Sequence, residues 1–179
     1  MITEQQKILL MSYKDKAYIN SLLAEQSHDY FNLIKNIINI PLIVSNSAMV
    51  IINAIITDQE LLKILNIILN SSTGLILSLI SNFKIYENIQ QFHQLQTKYN
   101  KLCHEIDSKL TNDLENITVD FIKSIVDDYD NITSSQEYSY PQKIKKRIKQ
   151  QYSNNYSLPS SLSVEIVECR NECCVSVKT

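Results

Sequence analysis

Hydrophobic positions along this chain fall into two regimes. Between Leu33 and Phe83 they form two nearly unbroken apolar runs, separated only by Thr57, Asp58, Gln59 and Glu60. On either side they are sparser and recur at helical spacing. A run of about 20 apolar-dominated residues, rising 1.5 Å each, crosses the roughly 30 Å hydrocarbon core of a bilayer. The first run, Leu33 to about Ile56, has Lys35 at its entry and Pro41 inside, where a kink is expected. The second, about Leu61 to Phe83, has Lys63 near its start, placed to snorkel to an interface. So short a connection makes the two runs antiparallel. The pattern therefore predicts an all-α membrane protein built on a two-helix transmembrane hairpin, with long flanking cytosolic helices and a flexible C-terminal tail.

The flanks read as helices. From Thr3 to Asn32 there is no Pro or Gly, and Leu9, Tyr13, Ala17, Leu22 and Leu23 recur at helical spacing, while Leu10, Ala17, Ala24 and Phe31 fall seven apart. After the second run, Lys84 to about Leu110 reads as a continuous extension of it into water. Ile85, Phe92, Tyr99 and Ile106 repeat every seven residues, with Leu95 and Leu102 between them, a short coiled-coil-like stripe. It pairs with the N-terminal helix or with a second copy of the chain.

The pattern breaks around Thr111 to Glu115. A further helix then carries Phe121, Ile122, Ile125, Val126 and Tyr129, closing on Asp127, Asp128 and Asp130. Pro141 suits the first turn of a last helix reaching about Tyr152. The expected divisions are an N-terminal helix over residues 1–32, the hairpin over 33–83, a cytosolic helical region over 84–152 and a flexible tail over 153–179. The Val164 to Val167 alternation has no partner strand, so disorder is the expectation there.

Composition changes this picture only in places. A formal net charge of -2 gives no basis for nucleic-acid binding. Lys14, Lys16, Lys35, Lys84, Lys98 and Lys101 flank the spans, whereas the connection carries Asp58 and Glu60 with only Lys63 nearby. The positive-inside rule then puts both termini in the cytosol, so the sequons at Asn116, Asn131 and Asn155 go unmodified. The first residues lack the basic start and short apolar core of a cleavable signal. His28, His93 and His104 have no nucleophile at a meaningful spacing, and the single glycine, Gly74, leaves no phosphate-binding loop; neither an enzyme nor a cofactor is expected. An entirely soluble bundle, with the two runs as its buried centre, is the competing architecture.

Three groups of residues are candidate sites. Asn32, Asn39, Asn46 and Asn53 fall seven apart on the first run, and Asn66, Asn70, Gly74, Ser78 and Asn82 fall four apart on the second. Such faces meet each other, meet other subunits or line water, because a carboxamide turned to lipid leaves its donors and acceptor unsatisfied. Gly74 reads as a close-packing point for the first helix. The last helix concentrates Lys143, Lys145, Lys146, Arg147 and Lys149 around Ile144, Ile148 and Tyr152, a face for anionic lipid or an acidic protein partner. Cys169, Cys173 and Cys174 crowd the tail as reduced thiols; the Cys173–Cys174 pair is a candidate for lipidation, and three thiols alone do not complete a zinc site.

An N-terminal helix, a tight two-span hairpin and a charged helix leaving the second span through Leu79-Ile80-Ser81-Asn82-Phe83-Lys84 into Glu87, Phe92, Tyr99, Lys101 and Leu102 resemble the SLATT family of two-span membrane proteins. The resemblance covers roughly residues 5–110. It implies an oligomer that forms a pore or perturbs the membrane, as predicted for bacterial members acting in nucleotide-triggered defence. The Asn, Ile and Lys bias, together with Tyr138-Ser139-Tyr140-Pro141, looks like the versions in large DNA viruses. By that likeness the alternative is a structural anchor in a host or virion membrane, holding partners through its cytosolic helices.

Overall fold

The computed structural model describes residues 3–112, 117–154 and 156–163. All regular structure among them is helical: α1 Glu4–Ile55, α2 Gln59–Asn82, α3 Ile85–Asn112, α4 Val119–Ser134, α5 Gln142–Tyr152 and the single turn α6 Ser160–Ser163.

Helix α1 begins at a capping box. The Thr3 hydroxyl accepts from the Gln6 N–H, and the Gln6 side chain accepts from the Thr3 N–H at 2.9 Å. With no glycine and only Pro41 to interrupt it, α1 runs for 52 residues, about 78 Å at 1.5 Å per residue. The expected boundary between residues 32 and 33 is thus no structural boundary. One rigid element carries both the amphipathic sequence before Leu33 and the apolar run after it. Helix α2 starts after three residues, with the Asp58 carboxylate accepting from the N–H groups of Glu60 and Leu61.

The expected continuity of α2 into α3 fails by two residues. Phe83 closes α2, and Lys84 adopts φ 49, the left-handed conformation that ends many helices. The Asn88 carboxamide, 7% exposed, donates to the carbonyls of Phe83 and Lys84 at 3.3 and 2.9 Å. The Phe83 carbonyl lies at a helix end, where intrahelical partners run out, and the Lys84 carbonyl accepts the Asn88 N–H as well, at 2.9 Å.

Helix α3 packs back along the first half of α1, and three polar pairs mark the register. Lys14 meets Asp107 at 2.5 Å, the Ser21 hydroxyl donates to Asn100 at 2.6 Å, and the His28 ring lies 5.5 Å from that of His93. Each step is seven residues on both helices, in opposite directions, as expected for antiparallel heptad packing. Beside this ladder lies the closed core. Leu10, Ala17 and Ala24 of α1 are buried with Ile85, Phe92, Leu95, Tyr99, Leu102 and Ile106 of α3, so the predicted stripe meets the N-terminal helix of its own chain. Alanines on α1 face large side chains on α3, which lets the two axes come close.

Helices α4 and α5 complete the bundle. The Thr118 side chain caps α4, and Ile122, Ile125 and Tyr129 point inward. Between α4 and α5, the Tyr138 N–H donates to Gln91 at 3.1 Å, which seats Tyr140 under Phe92 with ring centroids 5.5 Å apart. Ile144 and Ile148 of α5 join the same core. The segment expected to be a free tail from Ser153 instead returns across α1 as far as Ser163. Tyr156 packs on Tyr18, the Ser157 N–H donates to Asp15, Ser161 donates to Asn20, and Pro159 and Leu162 are buried. Two apolar anchors and polar partners on α1 hold it; residues 164–179 lie outside the described residues.

A group of hydroxyls sits inside this core. Asn20 donates to Tyr129 at 3.0 Å, Tyr99 lies 3.1 Å from Thr133, and Thr133 donates to the Tyr129 carbonyl. The Tyr140 hydroxyl is buried with no hydrogen-bond partner. Burial pushes the phenols of Tyr99, Tyr129 and Tyr140 upward, Tyr129 to about 12. Each phenol therefore favours the fold while neutral, and that contribution is lost as pH rises above the unfolded value near 10.

Two outcomes follow. Chemical denaturation should show Tyr140→Phe neutral or stabilising, because it removes an unpartnered buried hydroxyl. Tyr129→Phe should cost about 1–3 kcal/mol by stranding Asn20. Alkaline titration should show tyrosinate absorbance rising cooperatively with loss of helical circular dichroism above about pH 10, without a simple phenol curve.

Candidate functional site

Beyond the bundle the helices change character. Ile37, Ile40, Val44, Val50, Ile51 and Ile55 of α1 lie open, as do Ile64, Ile67, Ile68, Leu75 and Leu77 of α2. In the most apolar 18-residue stretch of each long helix only 6% of the residues are buried. Both helices are long and apolar enough to cross a membrane. The soluble alternative, with these runs as a buried centre, is not met within this chain.

The predicted polar residues divide into those that pair inside the chain and those that do not. Asn66 donates to Asn53 at 3.3 Å, joining the two helices near their connection, where Met49 and Leu62 are also buried. Asn39 donates to the Tyr86 hydroxyl at 3.1 Å, tying α1 to the first turn of α3. Ser78 donates back to the Gly74 carbonyl four residues earlier. Asn46 and Asn70 are exposed. At Gly74 an added Cβ would meet nothing within 4 Å, so the expected close approach to α1 is not made: this glycine faces outward.

Between α1 and α2, on the side nearest the bundle, lies a cavity of about 1050 Å³. Its walls are apolar residues such as Ile38, Pro41 and Leu42 of α1 and Ile76 and Ile80 of α2. The Thr73 hydroxyl in the wall is buried without a partner. At the bundle end the lining turns polar, with Asn88, Ser139 and Gln142. The chain's hydropathy pattern does not signal this space. Asn53 and Asn66 join the two helices at one end, and Phe31, Ile85 and Tyr140 line the space at the other.

The basic helix behaves differently from a membrane-surface amphipath. Ile144 and Ile148 are spent on the core and Tyr152 packs on Tyr18, so no apolar face is left to enter lipid. What α5 offers is its charge: Lys143, Lys146 and Arg147 are exposed, Lys145 and Lys149 half-buried, with Arg147 donating to Gln26 at 2.5 and 3.2 Å. Its N-cap, Pro141, provides no side-chain cap, and its first turn has no acidic residue. Cys173 and Cys174 lie outside the described residues, as does Cys169. Among the described residues His28, bonded to Asp29 at 3.2 Å, comes near His93, but no group of three side chains is placed to hold a metal ion.

Comparison with protein families, with characterised proteins and with solved structures finds no match to this chain.

Cys103 packs against the core, its thiol 3.6 Å from the Lys14 carbonyl, and burial holds its pKa up at about 11. In a chain with Cys169, Cys173 and Cys174 replaced by serine, Cys103 should resist iodoacetamide at pH 8. It should react fully once denatured, since the thiolate is the nucleophile. Rapid alkylation of the folded chain would contradict this packing.

Proposed function

We propose that this chain is an integral membrane protein whose α1 and α2 form an antiparallel two-span hairpin, which oligomerises to open a pore or perturb the bilayer. The supporting observation is the exposure of both apolar stretches beside a bundle whose own core is closed. Apolar surface on this scale is unfavourable in water and is a mark of membrane or protein contact. The bundle half of α1, α3, α4 and α5 then stands in the cytosol with both chain ends, and the basic residues around Lys35 and Lys84 sit at that interface.

Asn46 and Asn70 supply the oligomerising contact. Carboxamides between membrane helices contribute about 0.6 to 2 kcal/mol each, and repetition around a ring multiplies the effect.

Anchoring of a membrane to a protein layer is the second reading, favoured by the outward charge of α5. Substituting Lys145 and Arg147 by glutamate should then release a bound acidic partner while leaving membrane insertion intact.

Reconstituted protein should resist alkaline carbonate extraction and release a trapped dye from liposomes. Asn46→Leu combined with Asn70→Leu should reduce that release severalfold or more while leaving insertion unchanged. Undiminished leakage in the variant, or none from the wild type, would sink the pore reading.

A further inference from the structure

We propose that the cavity between α1 and α2 is a binding site for one anionic phospholipid. The proposal rests on the membrane reading above. Three observations define the occupant.

The first is shape and polarity. The space, about 1050 Å³, lies at the upper end of the roughly 300–1,000 Å³ range of small-molecule sites. It is walled mainly by aliphatic side chains, with Ser45, Ser72 and Thr73 among them, and its amide side chains, Asn88 and Gln142, stand together at the bundle end. An elongated amphipath fits this gradient; a compact polar ligand does not.

The second is charge. Among the described residues no acidic or basic side chain lines the cavity itself. Its polar end, however, is flanked in sequence by Lys84, between the lining residues Phe83 and Ile85, and by Lys143, next to Gln142. Lys84 reaches over the Tyr138 ring, 5.7 Å from its centroid, and Lys143 lines a smaller groove that shares Tyr30 with the cavity. The uncapped N-terminus of α5 begins at the same place, so its positive end adds to the two ammonium groups. Together they favour a head of net negative charge over a zwitterionic or neutral one.

The third is position around the helices. The cavity face of α1 runs through Ile34, Ile38, Pro41 and Ser45. Asn39, Asn46 and Asn53 lie about a third of a turn away, at 100° per residue. Asn39 and Asn53 are bonded within the chain, to Tyr86 and Asn66, so it is the exposed Asn46 that faces a second copy while the cavity holds lipid.

The test places the full chain in nanodiscs of phosphatidylcholine with phosphatidylglycerol and reads bound lipid by native mass spectrometry after release. The expected result is one phospholipid-mass adduct per chain, with phosphatidylglycerol enriched over its bulk share by on the order of tenfold, two lysines each contributing a few-fold. Ser45→Phe combined with Ser72→Phe fills the cavity and should remove the adduct. Lys84→Glu combined with Lys143→Glu should keep the adduct but lose the preference for phosphatidylglycerol, which tests the site even where the filled variant fails to fold.

Wild-type chain without an adduct, an adduct unchanged by both pairs of substitutions, or a second copy cross-linked through Ile76→Cys would each overturn the proposal. Carbonate extraction of the same chains from liposomes of that lipid composition separates the two levels. A chain that washes off the membrane defeats the membrane reading and this inference together, whereas one that stays inserted without lipid defeats the inference alone.

Discussion

The antiparallel packing of α3 on the first half of α1 is the contact on which everything else depends. It buries the alanine face of α1 against Phe92, Tyr99 and Ile106, and it is the surface onto which α4, α5 and the segment through Leu162 fold. Removing a buried aromatic ring from such a seam typically costs about 3–5 kcal/mol, a large part of a small domain's stability. The polar ladder of Lys14 with Asp107, Ser21 with Asn100 and His28 with His93 adds less energy, since exposed ion pairs contribute little. Its use is to fix register. A slip of one heptad would set Lys14 opposite Asn100 and leave Asp107 without its ammonium partner.

Because α1 is one unbroken helix, the register set in the bundle also fixes the azimuth of its apolar half. With about 100° per residue, Asn39, Asn46 and Asn53 keep one side of the helix while Ile34, Pro41 and Ser45 keep another. The bundle thereby decides which face of α1 meets α2 and which stays open. Asn53 with Asn66 and Asn39 with Tyr86 are local expressions of that alignment. Bundle and apolar helices are thus mechanically one object, whatever surrounds the latter.

Much of this was legible in the sequence, and the reason is periodicity. Every position of the stripe Ile85, Phe92, Tyr99, Ile106 is buried, as are Leu95 and Leu102, because a heptad repeat specifies a partner-facing seam independent of detail. The two apolar runs were equally clear. Features that depend on tertiary meeting points were not. The stretch after Ser153 reads as polar linker, yet Pro159 and Leu162 find a place on α1. The aligned isoleucines of α5 look like a membrane-facing stripe, yet serve the core. Gly74 looks like a packing point because glycine permits close approach, but permission is not contact. The buried hydroxyls of Tyr99, Tyr129 and Tyr140 come from three different segments, and no local pattern brings them together.

The two-residue break between α2 and α3 accounts for the cavity. Packed helices normally sit about 8–10 Å apart, and a straight continuation of α3 into α2 would carry that spacing onward, leaving no space of 1050 Å³ beside α1. Left-handed backbone at Lys84 lets α2 depart from the α3 axis. For a residue other than glycine this costs roughly 1–2 kcal/mol. Two hydrogen bonds from Asn88, each contributing about 0.5–1.5 kcal/mol, offset it. The break is therefore close to neutral in energy and held in one geometry. The same carboxamide that stabilises it lines the polar end of the cavity, so the residue that allows the space to exist also helps define what it can hold.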